Sequence, residues 1–370
     1  MKTFLTIKEL REKLLKKEIS SKESTIFYLD RLKKYDSKLN ATLEIFERVE
    51  NKKYEGILTG IPGLIKDNIS QKGRKLSCAS KILKNYTAPY NATTVKRLKK
   101  EGAVLLGRTN MDEFAMGGSG EYSTYKITKN PWDLTRVPGG SSSGSAAAVA
   151  SGLVPFALGS ETGGSVRQPA AFCGLVGLYP TYGTHSRFGL IAFTSSTDQI
   201  GPLTKTVYDN ALIASVLSGH DHKDASSLFR HKHDFTKNLT GKLPKDLTLG
   251  VIQDSLESDG VDEEIKENFK AAVNHLEKLG AKIKYINLPD LKYGISVYFI
   301  VSRAEAASNL ARFDGSLYGN RNEHAETLRD MYIKTRHDGF GIEVKRRILM
   351  GNYVLSSKHK DAFYNKANHV

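Results

Sequence analysis

Residues 137–180, VPGGSSSGSAAAVASGLVPFALGSETGGSVRQPAAFCGLVGLYP, place two serine-bearing glycine turns within one continuous run. The first is Gly139-Gly140 followed by Ser141, Ser142 and Ser143, and the second is Gly163-Gly164-Ser165. Gly139-Gly140 breaks regular structure, residues 142–151 have the small side chains of a short, closely packed helix, and 154–158 read as a buried strand. A tight turn is then expected over 159–165. With no Cβ at Gly163 or Gly164 the main chain can approach a bound group, and the Ser165 hydroxyl sits beside exposed N–H donors. An acyl-transfer nucleophile needs such donors for its oxyanion. Taken alone, Gly-Gly-Ser also reads as a packing turn with solvated serines.

Two competing motifs are excluded by context. Gly140-Ser141-Ser142-Ser143-Gly144 fits G-x-S-x-G, but a nucleophile elbow needs a strand directly before its serine, and Arg136-Val137-Pro138-Gly139 is a loop. Neither glycine cluster ends in Gly-Lys-Ser/Thr, so neither is a P-loop. Upstream, Gly60-Ile61-Pro62-Gly63-Leu64-Ile65-Lys66-Asp67-Asn68-Ile69 sets a lysine at the end of an apolar run. No histidine lies near either serine in sequence, so a serine nucleophile here needs another base. Lysine serves when it is neutral, which burial favours by lowering its pKa. By itself Lys66 reads as a surface lysine paired with Asp67; the two serine turns favour the buried base.

The lysine segment and the two serine turns, in this order, resemble the amidase signature family. The resemblance implies an α/β amidase signature fold, a mixed central β-sheet covered by helices on both faces, and a Ser-cisSer-Lys triad. Lys66 matches the family's lysine, Ser141 its bridging serine and Ser165 its nucleophile, with the backbone N–H groups of Thr162, Gly163, Gly164 and Ser165 as the oxyanion hole. Within the family, residues 110–119, 130–133, 180–183, 186–189, 196–202, 309–315 and 343–348 resemble the glutaminase subunits of tRNA-dependent amidotransferases. That likeness implies hydrolysis of glutamine to glutamate and ammonia, and B and C partner subunits in a heterotrimer. It implies Glu-tRNA(Gln) held mainly by the partner, which uses ATP and magnesium, with no metal or organic cofactor in this chain. Tyr298, ahead of Arg303-Ala304-Glu305-Ala306, and Arg347 are the implied glutamine-binding residues, with Arg346 a rival for Arg347. An arginine fork suits the substrate's α-carboxylate because it donates two parallel hydrogen bonds. Two alternatives stay open: a stand-alone amidase acting on another small amide, and an inactive, truncated scaffold subunit.

Two departures from the family pattern bear on these expectations. Ser143 stands where the family has glycine, which is tolerable if a helix starts there. The chain stops at Val370 in a helical region where family members continue, so an incomplete C-terminal part is expected, without the family's acidic contact to the glutamine amino group. One amidase-signature domain is expected over 1–370, with a helical segment at 1–50, the signature core at 51–215 and a C-terminal part at 240–370.

A length of 370 residues, 39% hydrophobic and 26% charged, is an ordinary globular balance. There is no apolar run of membrane-spanning length and no signal-peptide pattern at the N-terminus, so no membrane association and a cytoplasmic location are expected. Cys78 and Cys173 are too few for a disulfide framework. The net charge of +15 suits an acidic partner such as tRNA, yet the lysines are scattered without a basic stripe. Thr6-x-x-Glu9 and Ser20-x-x-Glu23 are capping boxes opening two amphipathic helices. Strands are expected at 43–46, 104–106, 247–252 and 282–286, and helices at 93–101 and 262–279, the latter with Ile265, Phe269, Val273 and Leu276 on one face. His220, His222, His231 and His233 share a polar loop with no cysteine or helix-spaced carboxylate, which argues for a solvated loop over a metal site.

Overall fold

The computed structural model describes residues 4–47, 55–229, 232–256, 258 and 260–370. Both capping boxes form. Thr6 Oγ accepts from Glu9 N–H at 3.1 Å while Glu9 returns a bond to Thr6 N–H, and Ser20 and Glu23 repeat the exchange. They open α1 (Ile7–Leu15) and α2 (Ser21–Leu39). A further acceptor at the start of α1 comes from far along the chain: Asp209 takes the N–H groups of Ile7 and Lys8 at 2.9 and 3.1 Å. No local pattern announces that tie, which draws on orphan donors that every helix start presents.

After α2 come β1 (Thr42–Ile45), β2 (Pro62–Lys66), α3 (Thr93–Lys100) and β3 (Val104–Thr109). The signature run follows as α4 (Ser143–Ala150), β4 (Phe156–Glu161), α5 (Arg167–Phe172) and β5 (Val176–Gly177). Then come β6 (Gln199–Thr204) and α6 (Val207–Leu217). Six strands form one sheet in the order β1-β3-β2-β4-β6-β5. β2 runs parallel to both β3 and β4, and the other pairs are antiparallel, so the sheet is mixed as expected. Helices cover it, and Leu64, Ile65, Leu106, Phe156, Leu158 and the alanines Ala147 and Ala148 of α4 are buried in the core between them. This is an α/β architecture.

Two strand boundaries differ from the sequence expectation, each for a physical reason. β4 starts at Phe156 rather than 154 because Pro155 has no N–H to give the ladder. It also continues through Gly159 to Glu161, paired with β6 from Gly201 to Gln199, so the turn begins three residues later than expected. Likewise β3 runs through Gly107 to Thr109 instead of stopping at the glycine. Gly107 is there for closeness: a Cβ on it would lie 2.3 Å from the Glu44 carbonyl oxygen of the neighbouring strand.

The C-terminal part adds β7 (Thr248–Ile252), α7 (Gln253–Leu256), α8 (Glu263–Lys278) and β8 (Lys282–Ile286), where β7 and β8 pair in parallel as a separate two-stranded sheet. On α8 the expected apolar face is uneven, with Val273 buried while Ile265 and Phe269 remain exposed. α9 (Gly294–Leu310), α10 (Leu328–Gly339) and α11 (Ile342–Leu355) follow. Ala306, Leu310, Val344 and Ile348 of α9 and α11, with Phe340 between α10 and α11, join Phe114 and Phe193 in a second apolar cluster. That cluster draws α9 and α11 against the signature region. Among the described residues no helix is long and apolar enough to cross a membrane. Of the histidine loop, His231 lies outside the described residues, His220 stacks on Phe229 and His233 leans on Phe235.

Replacing Gly107 with alanine would force a Cβ against main chain that cannot move as a side chain does. The expected loss is about 1–3 kcal/mol, read as a lower urea midpoint with an unchanged slope.

Candidate active site

Lys66 is the last residue of β2 and is completely buried. Because β2 and β4 are parallel with Ile65 opposite Leu158, its side chain arrives beside the end of β4. Its Nζ lies 2.7 Å from Ser141 Oγ, 2.9 Å from Ser142 Oγ and 3.0 Å from the Ser160 carbonyl oxygen. Burial brings its pKa down from 10.5 to about 7, against the opposing charges of Asp112, Asp198 and Glu161. The apolar run before Lys66 was the sequence signal for that burial. Asp67 does not pair with the lysine; it is buried under Arg108 and accepts from the N–H groups of Ser77 and Ala79.

Ser141 is also completely buried, and the Gly140–Ser141 peptide bond is cis. α4 begins at Ser143, which has no positive φ, so serine in place of glycine there meets no backbone obstacle. Ser165 lies in the turn between β4 and α5 and is nearly buried. Its carbonyl oxygen accepts from Ser142 N–H at 3.1 Å, which ties the two serine turns together through the main chain. Among the described residues no hydroxyl–hydroxyl bond joins Ser141 to Ser165.

The turn's donors are not equivalent. Glu161, buried at the end of β4, accepts from the N–H groups of Gly164, Val166 and Arg167, each at 2.9 Å, and pairs with the Arg167 guanidinium. Gly164 is therefore a correction to the expected oxyanion set, because its N–H already serves a carboxylate. The N–H groups of Thr162, Gly163 and Ser165 have no such internal acceptor among the described residues.

Comparison with known proteins decides the family. The family profile described as Amidase matches residues 23–370. The chain belongs to the amidase family. The A-subunit of glutamyl-tRNA(Gln) amidotransferase from Halothermothrix orenii is 51% identical over 370 residues, covering 99% of this chain and 77% of the relative. Its counterpart from Bacillus velezensis is 49% identical, covering 98% and 77%. Among solved structures, the A-subunit of the Thermotoga maritima glutamyl-tRNA(Gln) amidotransferase superposes with a TM-score of 0.81 at 43% identity, over 99% of this chain and 74% of that one. The peptide amidase of Stenotrophomonas maltophilia also reaches 0.81, at 28% identity, over 98% and 77%. The fold is the amidase signature fold, and the chain is an enzyme of the amidase class.

In this amidase the two residues expected to hold substrate come from α9 and α11. Tyr298 packs over the glycine turn: a Cβ on Gly163 would lie 2.7 Å from Tyr298 Cε2. Burial raises its phenol pKa, with Arg347 opposing that rise. Arg347 donates from Nε to Glu343 Oε1 at 2.7 Å and sits 5.6 Å from the Phe193 ring. Its side chain is 11% exposed, whereas that of Arg346 is 64% exposed, so it is Arg347 that points inward beside Tyr298.

Several buried polar groups escaped the sequence reading. Ser142 shares Lys66 with Ser141, and three consecutive serines carry no mark of which will face inward. Asp198 accepts from the Thr162 hydroxyl at 2.6 Å and from the N–H groups of Phe193 and Thr194, and burial pushes its pKa up to about 7. Glu161 organises the turn. Replacing Glu161 with glutamine turns one acceptor oxygen into a donor facing donors. The expected cost is about 1–3 kcal/mol, measured by thermal unfolding.

Proposed function

We propose that this chain is the glutamine-hydrolysing subunit of a tRNA-dependent amidotransferase, working through Lys66, Ser141 and Ser165. The observation that carries the reading is the buried Lys66–Ser141 hydrogen bond around a lysine whose pKa is about 7. A neutral lysine has two N–H donors and one lone pair for its three neighbours. The Ser160 carbonyl can only accept, and Ser142 sends its own proton to that carbonyl at 3.1 Å. Ser141 is then the hydroxyl whose proton meets the lysine lone pair, which suits it to relay protons.

In the reaction, Ser165 Oγ attacks the side-chain amide carbon of glutamine. Its proton passes to Ser141 as Ser141 gives its own to Lys66, and the N–H groups of Thr162, Gly163 and Ser165 take up the oxyanion charge. When the C–N bond breaks, the proton returns from Lys66 through Ser141 to the leaving nitrogen, which departs as ammonia. Water then repeats the sequence on the glutamyl ester and releases glutamate. Arg347 pairs with the α-carboxylate and Tyr298 lines the site. The ammonia serves B and C partner subunits in a cytoplasmic heterotrimer, where the partner holds Glu-tRNA(Gln) and uses ATP and magnesium. The names of the Halothermothrix and Thermotoga relatives, each the A-subunit of a glutamyl-tRNA(Gln) amidotransferase, support a multi-subunit amidotransferase.

The test is ammonia release from glutamine by the chain with its partner subunits, beside a panel of simple amides. Glutamine-selective release that rises with ATP and charged tRNA is expected, falling by a factor on the order of 10³ or more in Ser165→Ala. Release from other amides, indifferent to partners, would identify a stand-alone amidase instead, and no release from a folded complex would leave a scaffold. The base must be neutral to accept a proton, so kcat/KM should climb as pH rises through about 7. A profile flat across that range would remove Lys66 from the role of base. Arg347→Lys should raise KM for glutamine by about tenfold with kcat little changed, since the bidentate fork is lost.

A further inference from the structure

Asp112 follows β3 by three residues and is completely buried, 46 positions from the lysine in sequence. Its main-chain N–H donates to the Ser141 carbonyl oxygen at 3.2 Å. Its carboxylate accepts from Gly120 N–H at 3.1 Å and Tyr122 N–H at 3.0 Å, one bond to each oxygen. On its other side the carboxylate rests on the serine turn itself: a Cβ on Gly140 would lie 2.1 Å from Asp112 Oδ2. One residue thus joins β3, the 117–122 loop and the Gly140–Ser141 peptide. Burial raises its pKa, while the two N–H donors and the charges of Lys66 and Arg347 oppose that rise. Donors facing both oxygens favour the ionised carboxylate, and an amide would break the arrangement by setting NH2 against N–H.

The same carboxylate is the acidic neighbour felt most strongly by Lys66, ahead of Asp198 and Glu161, with Cys78 behind them. The other groups are tied to elements away from the Ser141 turn. Asp198 is bonded to Thr162, Phe193 and Thr194; Glu161 is paired with Arg167; and the Cys78 thiol is held well above its ordinary pKa by burial. Asp67, next to the lysine in sequence, is paired with Arg108.

We propose that Asp112 is the positioning residue of this site: it fixes the Ser141 main chain beside Lys66 and presents a negative charge to that lysine. The proposal rests on the Lys66–Ser141–Ser165 reading above. Asp112 touches no reacting atom and acts through the other residues. Loss of its charge leaves Lys66 easier to deprotonate, and loss of its carboxylate's bonds to Gly120 and Tyr122 loosens the 117–122 loop that holds the carboxylate against Gly140, beside the relay hydroxyl.

The experiment is glutamine-dependent ammonia release by Asp112→Asn in the complex with its partner subunits, followed from about pH 5.5 to 9. The expected result is a kcat lower by about ten- to a hundred-fold, KM within about twofold, and an acid limb displaced to lower pH than in the unchanged protein. An acid limb that stays in place, with or without a loss of rate, would overturn the proposal, because a merely structural aspartate would not move it. If Asp112→Asn does not fold by thermal unfolding, Asp112→Ser, which keeps one acceptor without the charge, is read in the same way. The underlying reading fails separately, through Ser165→Ala or Lys66→Ala retaining activity.

Discussion

A lysine that is completely buried, and that among the described residues has no carboxylate bonded to it, is the constraint around which this molecule is arranged. An ammonium in that place would be expensive, and the cost is lowered by bringing its pKa down to about 7 and surrounding it with two hydroxyls and a carbonyl. Each of those partners is itself fixed. Ser160 is near the end of a fully buried strand, and Ser141 and Ser142 lie just before a helix whose residues from Ser143 to Val149 are buried. The acidic groups nearby oppose the effect of burial enough to leave the lysine near the point of half-protonation. That suits the proposed role of proton acceptor, which must both take and return a proton in one turnover.

Topology delivers the rest. Parallel pairing of β2 with β4 brings two carboxyl ends of strands side by side, one ending in Lys66 and the other leading into the glycine turn of Ser165. Between them, α4 is made of Ser, Gly, Ala and Val, so it packs close to the sheet, and the first serine turn just before it sets Ser141 and Ser142 within reach of the Lys66 amine. α9 and α11 close the site from the other side with Tyr298 and Arg347, anchored by an apolar cluster that has no part in the chemistry. Tyr298 and Arg347, the residues proposed to face substrate, are thus placed by helices that lie more than a hundred residues from Ser165 in sequence.

Legibility in the sequence followed local cause. The two capping boxes, the short helix of small residues and the burial of Lys66 were readable because each arises from neighbouring residues: a side chain reaching three positions along, a lack of bulk, an apolar run. Glycine misled where its purpose was not local. Gly107 and Gly159 read as strand ends or turns, yet both lie inside strands that approach a neighbour closely. Gly164 looked like one more free donor, but its N–H is occupied by Glu161.

By itself the sequence determined the chemical parts and their order: a lysine after an apolar run, a run of serines after a double glycine, and a serine in a glycine turn. Only the tertiary structure decided which hydroxyls face the lysine, which N–H groups remain open, and that Arg347 rather than Arg346 turns inward. The physical reason is that a buried polar group is defined by its partners, and Lys66, Glu161, Asp112 and Asp198 find theirs across strands, turns and helices that sequence proximity does not connect.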